Sequence, residues 1–191
     1  MKILFLSSEA TGLIKTGGLA DVARALPLAL RQKGHDVRLV LPNYLSIARI
    51  KKYSTAVSSL GVPMGNSELF CAVQQTELEQ LPVYLIEYND FFLRIHPYED
   101  MAGKPHPDNG ERFGFFCKAA FQLCLAENFI PDIIHANDWQ GALACLYLHQ
   151  YRGNYPEFAK TRSLLTIHNG GFQGHCPASA RSFLEIGDHW F

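Results

Sequence analysis

A short stretch near the N-terminus combines a lysine, two glycines and the predicted start of a helix near Leu19. Its residues are, in order, Lys15, Thr16, Gly17 and Gly18. Glycines allow close backbone approach and unusual φ values, and a helix start offers free N–H groups at the positive end of its dipole. With the lysine as a cation, this loop has the groups that bind an anion such as the diphosphate of a sugar nucleotide. An ordinary glycine-rich turn with a solvated lysine is the alternative, because the dinucleotide and P-loop fingerprints are both missing.

Polar side chains also follow two predicted strands in the second half of the chain. Asp138 comes shortly after the apolar run 132–136, and His168 and Asn169 come directly after the run 163–167. Asp138 is expected to cap the following helix, to accept hydrogen bonds from sugar hydroxyls, or to do both, since a carboxylate has two oxygens. A histidine at a strand end suits contact with a transferring group, or a bond to a neighbouring loop.

The same residue types do not predict a metal site. His135, Asp138 and His168 have no close pairing of ligands, and no D-x-D pattern occurs in the chain. We expect His135, one residue inside its strand, to be structural. The 5 cysteines are odd in number and include no C-x-x-C pair, which favours reduced thiols over disulfides or a metal centre.

Composition narrows the classes of protein further. The 191 residues are 48% hydrophobic and 18% charged, with a formal net charge of -1. Disordered chains and basic nucleic-acid arms need lower hydrophobicity or a stronger charge imbalance, so we expect no nucleic-acid partner. No apolar run approaches a membrane span, and the N-terminal run is too short for a signal peptide. We therefore expect no membrane association and a cytoplasmic location.

Apolar runs alternate with helical patterns along the chain. The predicted strands are 2–7, 36–41, 55–61, 68–78, 82–88, 132–136 and 163–167. The predicted helices are 19–34, 111–128, 139–153 and one from about 178, with some helix in the connection 43–54. Because most strand runs are apolar throughout, the pattern predicts a single α/β domain with a mostly parallel, doubly wound sheet covered on both faces. Ligands of such sheets bind beyond the carboxyl ends of the strands.

Four local features add detail to this layout. Pro27 lies inside the first predicted helix and predicts a kink or break there. Gly61 to Asn66 is predicted as the turn between two strands. The stretch 89–110 is predicted as a long irregular loop, which in a compact domain is usually functional or mobile. Asp21 is predicted in the first turn of the first helix, where an acidic side chain complements the helix dipole.

Four segments together resemble a known family. They read SSEATGLIKTGGLADV, DNGERFGFF, HANDWQGALACLYL and TIHNGGFQG, in that order. With the strand HDVRLVLP, they closely resemble the N-terminal catalytic domain of bacterial glycogen synthase and plant starch synthase, and the resemblance covers essentially the whole chain. It implies a GT-B architecture of two Rossmann-like domains. It also implies metal-free transfer of glucose from ADP-glucose to the non-reducing end of an α-1,4-glucan, with retention of configuration.

The resemblance also implies roles for individual residues. Donor binding falls on four residues of the first loop and helix: Lys15, Gly17, Gly18 and Asp21. The resemblance assigns the catalytic surroundings of the transferring glucose to Asp138 and His168. It assigns the acceptor side of the cleft to Tyr98 and Asn169. Gly170, Gly171 and Phe172 differ from the family's usual residues at these positions. These differences affect the expected details of the acceptor groove.

Family members have a second domain of comparable size, which supplies most adenine-nucleotide contacts and a cleft glutamate. The chain 1–191 is therefore expected to be the N-terminal half of such an enzyme, with ADP-glucose, the glucan and the C-terminal domain as its partners and no cofactor. Two alternatives stay open. One is a stand-alone, non-catalytic module that binds a glucan or another partner. The other is a different GT-B transferase, such as one that forms sucrose or a phosphosugar.

Overall fold

The computed structural model describes residues 1–48 and 52–190, and it contains a seven-stranded sheet. The strands, in chain order, are β1 (Lys2–Leu6), β2 (Asp36–Pro42), β3 (Ser54–Met64), β4 (Ser67–Leu78), β5 (Leu81–Glu87), β6 (Ile133–Asn137) and β7 (Arg162–Thr166). In space their order is β3-β4-β5-β2-β1-β6-β7. The predicted α/β class is confirmed, and all seven predicted strands occur.

The sheet is parallel only in part. The strands β5, β2, β1, β6 and β7 run parallel, whereas β3 pairs antiparallel with β4 and β4 pairs antiparallel with β5. The prediction of a mostly parallel sheet is therefore confirmed, with the antiparallel pairings confined to the β3–β4 hairpin and its contact with β5. Only Gly65 and Asn66 separate β3 from β4, and so short a connection joins only antiparallel strands. Gly65 has φ +59°, and Gly61, which was predicted as part of the turn, lies within β3.

The helices are α1 (Leu19–Gln32), α2 (Leu45–Ala48), α3 (Asn89–Phe92), α4 (Asn109–Ala126), α5 (Asp138–Asn154) and α6 (Ala180–Leu184). Short 3₁₀ turns cover Pro156–Lys160 and Asp188–Trp190. Part of the predicted connection 43–54, residues 49–51, lies outside the described residues, as does residue 191. Across residues 1–48 and 52–190, none of the helices has the length and apolar character needed to span a bilayer.

Of the kink or break predicted at Pro27, the break does not occur, because α1 runs unbroken from Leu19 to Gln32. Proline removes one intrahelical hydrogen bond. Packing compensates for that loss, since Ala23 and Pro27 are buried on the face that α1 turns to the domain. Tertiary burial of one face supplies most of a helix's stability in a folded protein.

The strand order reverses at β1. Its partners are β2, reached through α1, on one side and β6 on the other. From β6 the chain continues through α5 to β7, away from β2. The crevice beyond the ends of β1 and β6 is therefore the topological switch point, where ligands of open α/β sheets bind.

Candidate functional site

Asn137 joins three elements at the switch point. Its side chain is fully buried. Nδ2 donates to the carbonyl oxygen of Leu6, the last residue of β1, at 2.9 Å. Oδ1 lies 3.0 Å from Nε2 of His168, and because an amide oxygen only accepts, Nε2 carries the proton in this contact. The ends of β1 and β6 thus hold the His168 ring in one orientation.

Asp138 connects the start of α5 to the loop after β7. Its Oδ1 accepts hydrogen bonds from the backbone N–H of His168 at 2.7 Å and of Asn169 at 3.4 Å. The predicted helix cap is wrong, because α5 begins at Asp138 itself and no side chain caps it. Asp138 also has φ +50°, a left-handed conformation that Asp tolerates better than most residues. The structure therefore brings Asp138, His168 and Asn169 together.

His135 lies beside this group within β6. Its Nε2 is 2.8 Å from the hydroxyl of Thr166, and its ring packs edge-on against Phe5 at 4.6 Å between centroids. Burial, with a smaller effect from His168, lowers the pKa of His135 below its ordinary value. The His135 ring, which bonds β6 to β7, is part of the packing of the sheet.

In the first loop, Lys15 and Asp21 form an ion pair. Nζ of Lys15 lies 2.7 Å from both carboxylate oxygens of Asp21, and Thr11 Oγ1 donates to the same carboxylate at 2.8 Å. These hydrogen bonds lower the pKa of Asp21. Both side chains of the pair are about half exposed, at 50% and 56%. Lys15 is thus both paired with Asp21 and open to water, and an ordinary glycine-rich turn stays the alternative to a binding loop.

Gly17 and Gly18 leave the backbone bare at the N-terminus of α1. Gly18 has φ -69° and ψ -21°, and neither glycine is left-handed, so the loop does not use the unusual φ values that glycine permits. A Cβ built at either position meets nothing within 4 Å. Steric crowding within the chain thus does not require glycine here, and no side chain caps α1. The space in front of the helix start is therefore open at both glycines.

Tyr98 reaches toward the first loop from the segment that precedes α4. Its hydroxyl donates to Oε1 of Glu9 at 2.6 Å and lies 2.7 Å from the hydroxyl of Ser8. Its ring centroid lies 6.3 Å from that of Trp139, the neighbour of Asp138. Burial, followed by the charges around it, raises the pKa of Tyr98 well above its ordinary value. Tyr98 thus lies between the two groups of candidate residues, with its hydroxyl occupied by contacts within the chain.

Side chains of α4 and its flanks hold the 93–108 segment. Arg94 makes a bidentate pair with Asp108 at 2.8 and 2.6 Å, and Nδ2 of Asn109 donates to the carbonyl of Tyr98 at 2.8 Å. The fully buried Arg112 donates to the carbonyl oxygens of residues 91 and 97 at 2.6 and 2.9 Å. Burial lowers the pKa of Arg112 to about 10. The predicted long loop is therefore a pinned segment, with α3 at its start.

Sequence reasoning missed two residues of this site as side chains with a role. Glu9 accepts hydrogen bonds from the first loop and from Tyr98. Asn137 bridges β1 and His168, as described above. Each follows an apolar run at a strand end, and that position was the signal available. Among the described residues, no group of three or more His, Cys, Asp or Glu is placed to hold a metal ion.

Comparison with known proteins identifies relatives. Residues 2–191 match the family model described as starch synthase catalytic domain. The chain is 46% identical over 176 residues to a glycogen synthase from Aeromonas salmonicida (strain A449), covering 91% of this chain and 36% of that protein. It is 43% identical over 184 residues to a glycogen synthase from Geotalea daltonii, covering 94% of this chain and 37% of that protein.

A solved structure is similar over nearly the whole chain. It is the catalytic domain of starch synthase IV from Arabidopsis thaliana bound to ADP and acarbose, with a TM-score of 0.85 and 28% identity, covering 98% of this chain and 38% of that one. The chain thus spans somewhat more than a third of the length of these relatives. Since the family model matches from residue 2 to residue 191 and the fold agrees, the chain belongs to the starch synthase catalytic domain family.

Proposed function

We propose that this chain is the N-terminal domain of a retaining glucosyltransferase that moves glucose from ADP-glucose to the non-reducing end of an α-1,4-glucan. The observation that carries the proposal is the bare Gly17–Gly18 backbone at the start of α1, beside Lys15 and at the same edge of the sheet as His168. Family membership supports the reaction class. The ADP-bound starch synthase IV structure supports a nucleotide diphosphate as ligand.

In this proposal the first loop binds the donor's diphosphate. The first N–H groups of a helix have no partner within it, and the dipole favours an anion there. The N–H of Gly17 is directed at Glu9, 3.1 Å away, so Gly18 and the first turn of α1 supply the backbone donors. Lys15 supplies the positive charge, and Asp21 keeps the ammonium group close to the site.

The transferring glucose would lie at the switch point, near His168, Asp138 and Asn169. Asp138 orders the backbone of the loop after β7, and Asn137 orients the imidazole. In this proposal Tyr98 supports both the first loop and the residues at the switch point, and its hydroxyl does not contact the acceptor. The proposal includes transfer without a metal or other cofactor and a cytoplasmic location, both of which are expectations from the sequence.

A second GT-B domain of the full-length protein and the glucan complete the site in this proposal. Positioning of two reactants contributes about 7–11 kcal/mol to barrier reduction, and it needs both walls of the cleft. A glucosyl-transfer assay with labelled ADP-glucose and a maltodextrin primer therefore separates this proposal from a stand-alone binding module. We expect label in polymer with the full-length protein and none with the 191-residue chain.

Lys15→Ala in the full-length protein tests the donor assignment. Loss of one charge-assisted hydrogen bond typically costs about 1.5–3 kcal/mol, so we expect the KM for ADP-glucose to rise at least about tenfold. The matched control is Lys33→Ala, at the other end of α1, with unchanged kinetics. Wild-type donor kinetics in a folded Lys15→Ala protein would contradict the assignment.

A further inference from the structure

Glu9 is a buried carboxylate that faces the first loop. It follows β1, and only 3% of it is exposed. It accepts hydrogen bonds from the backbone N–H and the hydroxyl of Thr16, the latter at 2.6 Å, from the N–H of Gly17 at 3.1 Å, and from the hydroxyl of Tyr98 at 2.6 Å. Three of these four bonds therefore come from the loop that the donor is proposed to contact.

The two oxygens of Glu9 have different partners. Oε2 accepts from the backbone amides of Thr16 and Gly17, which can only donate. Oε1 accepts from the hydroxyls of Thr16 and Tyr98, which can donate or accept. A glutamine with its oxygen at the Oε2 position and its NH₂ group at the Oε1 position would therefore satisfy the same neighbours, because both hydroxyls can reverse.

Tyr98 is held independently of Glu9. The carbonyl of Tyr98 accepts from Asn109 at 2.8 Å, and Arg112 fixes the neighbouring carbonyl of Pro97 at 2.9 Å. Its hydroxyl therefore reaches Glu9 from a segment that is pinned to α4. The loop, in contrast, is exposed from Lys15 to Gly18 and contains two glycines, which lose more conformational freedom on ordering than any other residue.

We propose that Glu9 is a positioning residue: its carboxylate, braced against Tyr98, holds the Lys15–Gly18 loop in the conformation that receives the donor's diphosphate. The inference rests on the proposed function for its ligand and on the hydrogen bonds above for its geometry. Because Glu9 is buried behind the loop, it acts through the loop and does not touch the donor. Its effect falls on donor affinity, because an ordered loop has less entropy to lose on binding.

Two readouts test the inference. The first is hydrogen–deuterium exchange of the Thr16 and Gly17 amides in this chain. The second is the steady-state kinetics of the full-length protein with ADP-glucose and maltodextrin. In Glu9→Met both amides lose their acceptor. We therefore expect the exchange rates of the two amides and the KM for ADP-glucose to rise about tenfold or more. The kcat and the KM for the glucan should change less than about threefold. Glu9→Gln should restore both readouts to within about threefold of wild type, and the exposed Glu157→Gln serves as control.

Tyr98→Phe keeps the test decisive where Glu9→Met fails to fold. It removes one of the four bonds to the carboxylate and leaves the loop amides their acceptor, so we expect exchange and donor KM to rise about threefold. Wild-type exchange and donor KM in a folded Glu9→Met would overturn the inference, and where Glu9→Met does not fold, wild-type values in Tyr98→Phe would overturn it. The inference would also fail if Glu9→Gln left amide exchange at the wild-type level but lowered kcat as much as Glu9→Met does. The negative charge of Glu9 would then act on the reaction itself. Absence of transfer by the wild-type protein would refute the proposed function instead, and amide exchange would still decide whether Glu9 orders the loop.

Discussion

Asp138 combines an unusual backbone conformation with a side chain that ties two loops together, and substitutions there separate the two effects. Its φ of +50° lies at the junction of β6 and α5, and its Oδ1 accepts from the N–H of His168 at 2.7 Å. Asp138→Asn keeps an acceptor and a residue that tolerates the left-handed region. Asp138→Gly removes the acceptor and relaxes the backbone. Asp138→Ala removes the acceptor and keeps the strain.

The magnitudes follow from these contacts. A hydrogen bond to a charged group contributes about 1.5–3 kcal/mol when buried, and about 1–2 kcal/mol is reasonable for the partly exposed Asp138. A left-handed conformation costs a residue with a Cβ about 1–2 kcal/mol, a cost that Gly does not have. We therefore expect Asp138→Asn to lie within about 1 kcal/mol of wild type. Asp138→Gly should lose about 1–2 kcal/mol, and Asp138→Ala about 1 kcal/mol more than Asp138→Gly.

Urea unfolding of the four proteins, followed by circular dichroism, measures this order. With an m-value of about 2 kcal/mol/M, a difference of about 1 kcal/mol moves the midpoint by about 0.5 M. The decisive comparison is Gly against Ala. A helix-cap role without backbone strain predicts similar midpoints or a more stable alanine, because alanine is the better helix former. An alanine variant as stable as the glycine variant would therefore refute the assignment of strain at Asp138.

Two further predictions concern the same region. Gly174 has φ +66°, and a Cβ there would lie 2.5 Å from the Trp139 ring, so Gly174→Ala should lower the free energy of unfolding by about 2 kcal/mol or more in thermal or urea unfolding. The control is Gly170→Ala, whose new Cβ meets nothing within 4 Å and should leave stability unchanged. Equal effects of the two substitutions would contradict the packing argument. The lowered pKa of His135 means that the unfolded chain binds more protons below pH about 6.5, so stability should fall as the pH drops from about 6.5 through the folded-state pKa. His135→Gln should flatten that part of the urea-midpoint profile between pH 7.5 and 5.5, and an unchanged slope would assign it to other groups.

Local patterns predicted the elements well, because each depends on nearby residues. The apolar runs at β1, β2, β5, β6 and β7 and the helical periodicity of α4 and α5 are properties of short windows. Strand direction was less accessible. The runs of β3 and β4 have composition typical of any strand, and their antiparallel pairing depends on the two-residue connection at Gly65 and Asn66.

The candidate site was predictable only as a set of strand ends. Because parallel strands end at one edge, the positions of Lys15, Asp138 and His168 along the chain already indicated a common crevice. Hydrogen-bond partners were not accessible, since Glu9 and Tyr98 are 89 residues apart and meet only through the packing of α4. For the same reason the sequence alone could not show that Asp138 serves the loop after β7 instead of its own helix.

In the proposed function, the ion pair in the first loop lets a lysine occupy an open site without weakening donor binding. An exposed pair contributes little to stability because water screens it and two long side chains lose freedom. Lys15 and Asp21 are both about half exposed, so exchanging Asp21 for a diphosphate sacrifices little. The direction of the N–H groups at Gly18 and the start of α1 is set by the loop. In the proposed function, donor affinity should therefore depend on the order of the loop as much as on the lysine charge, and the proposed role of Glu9, with its four hydrogen bonds, is to supply that order.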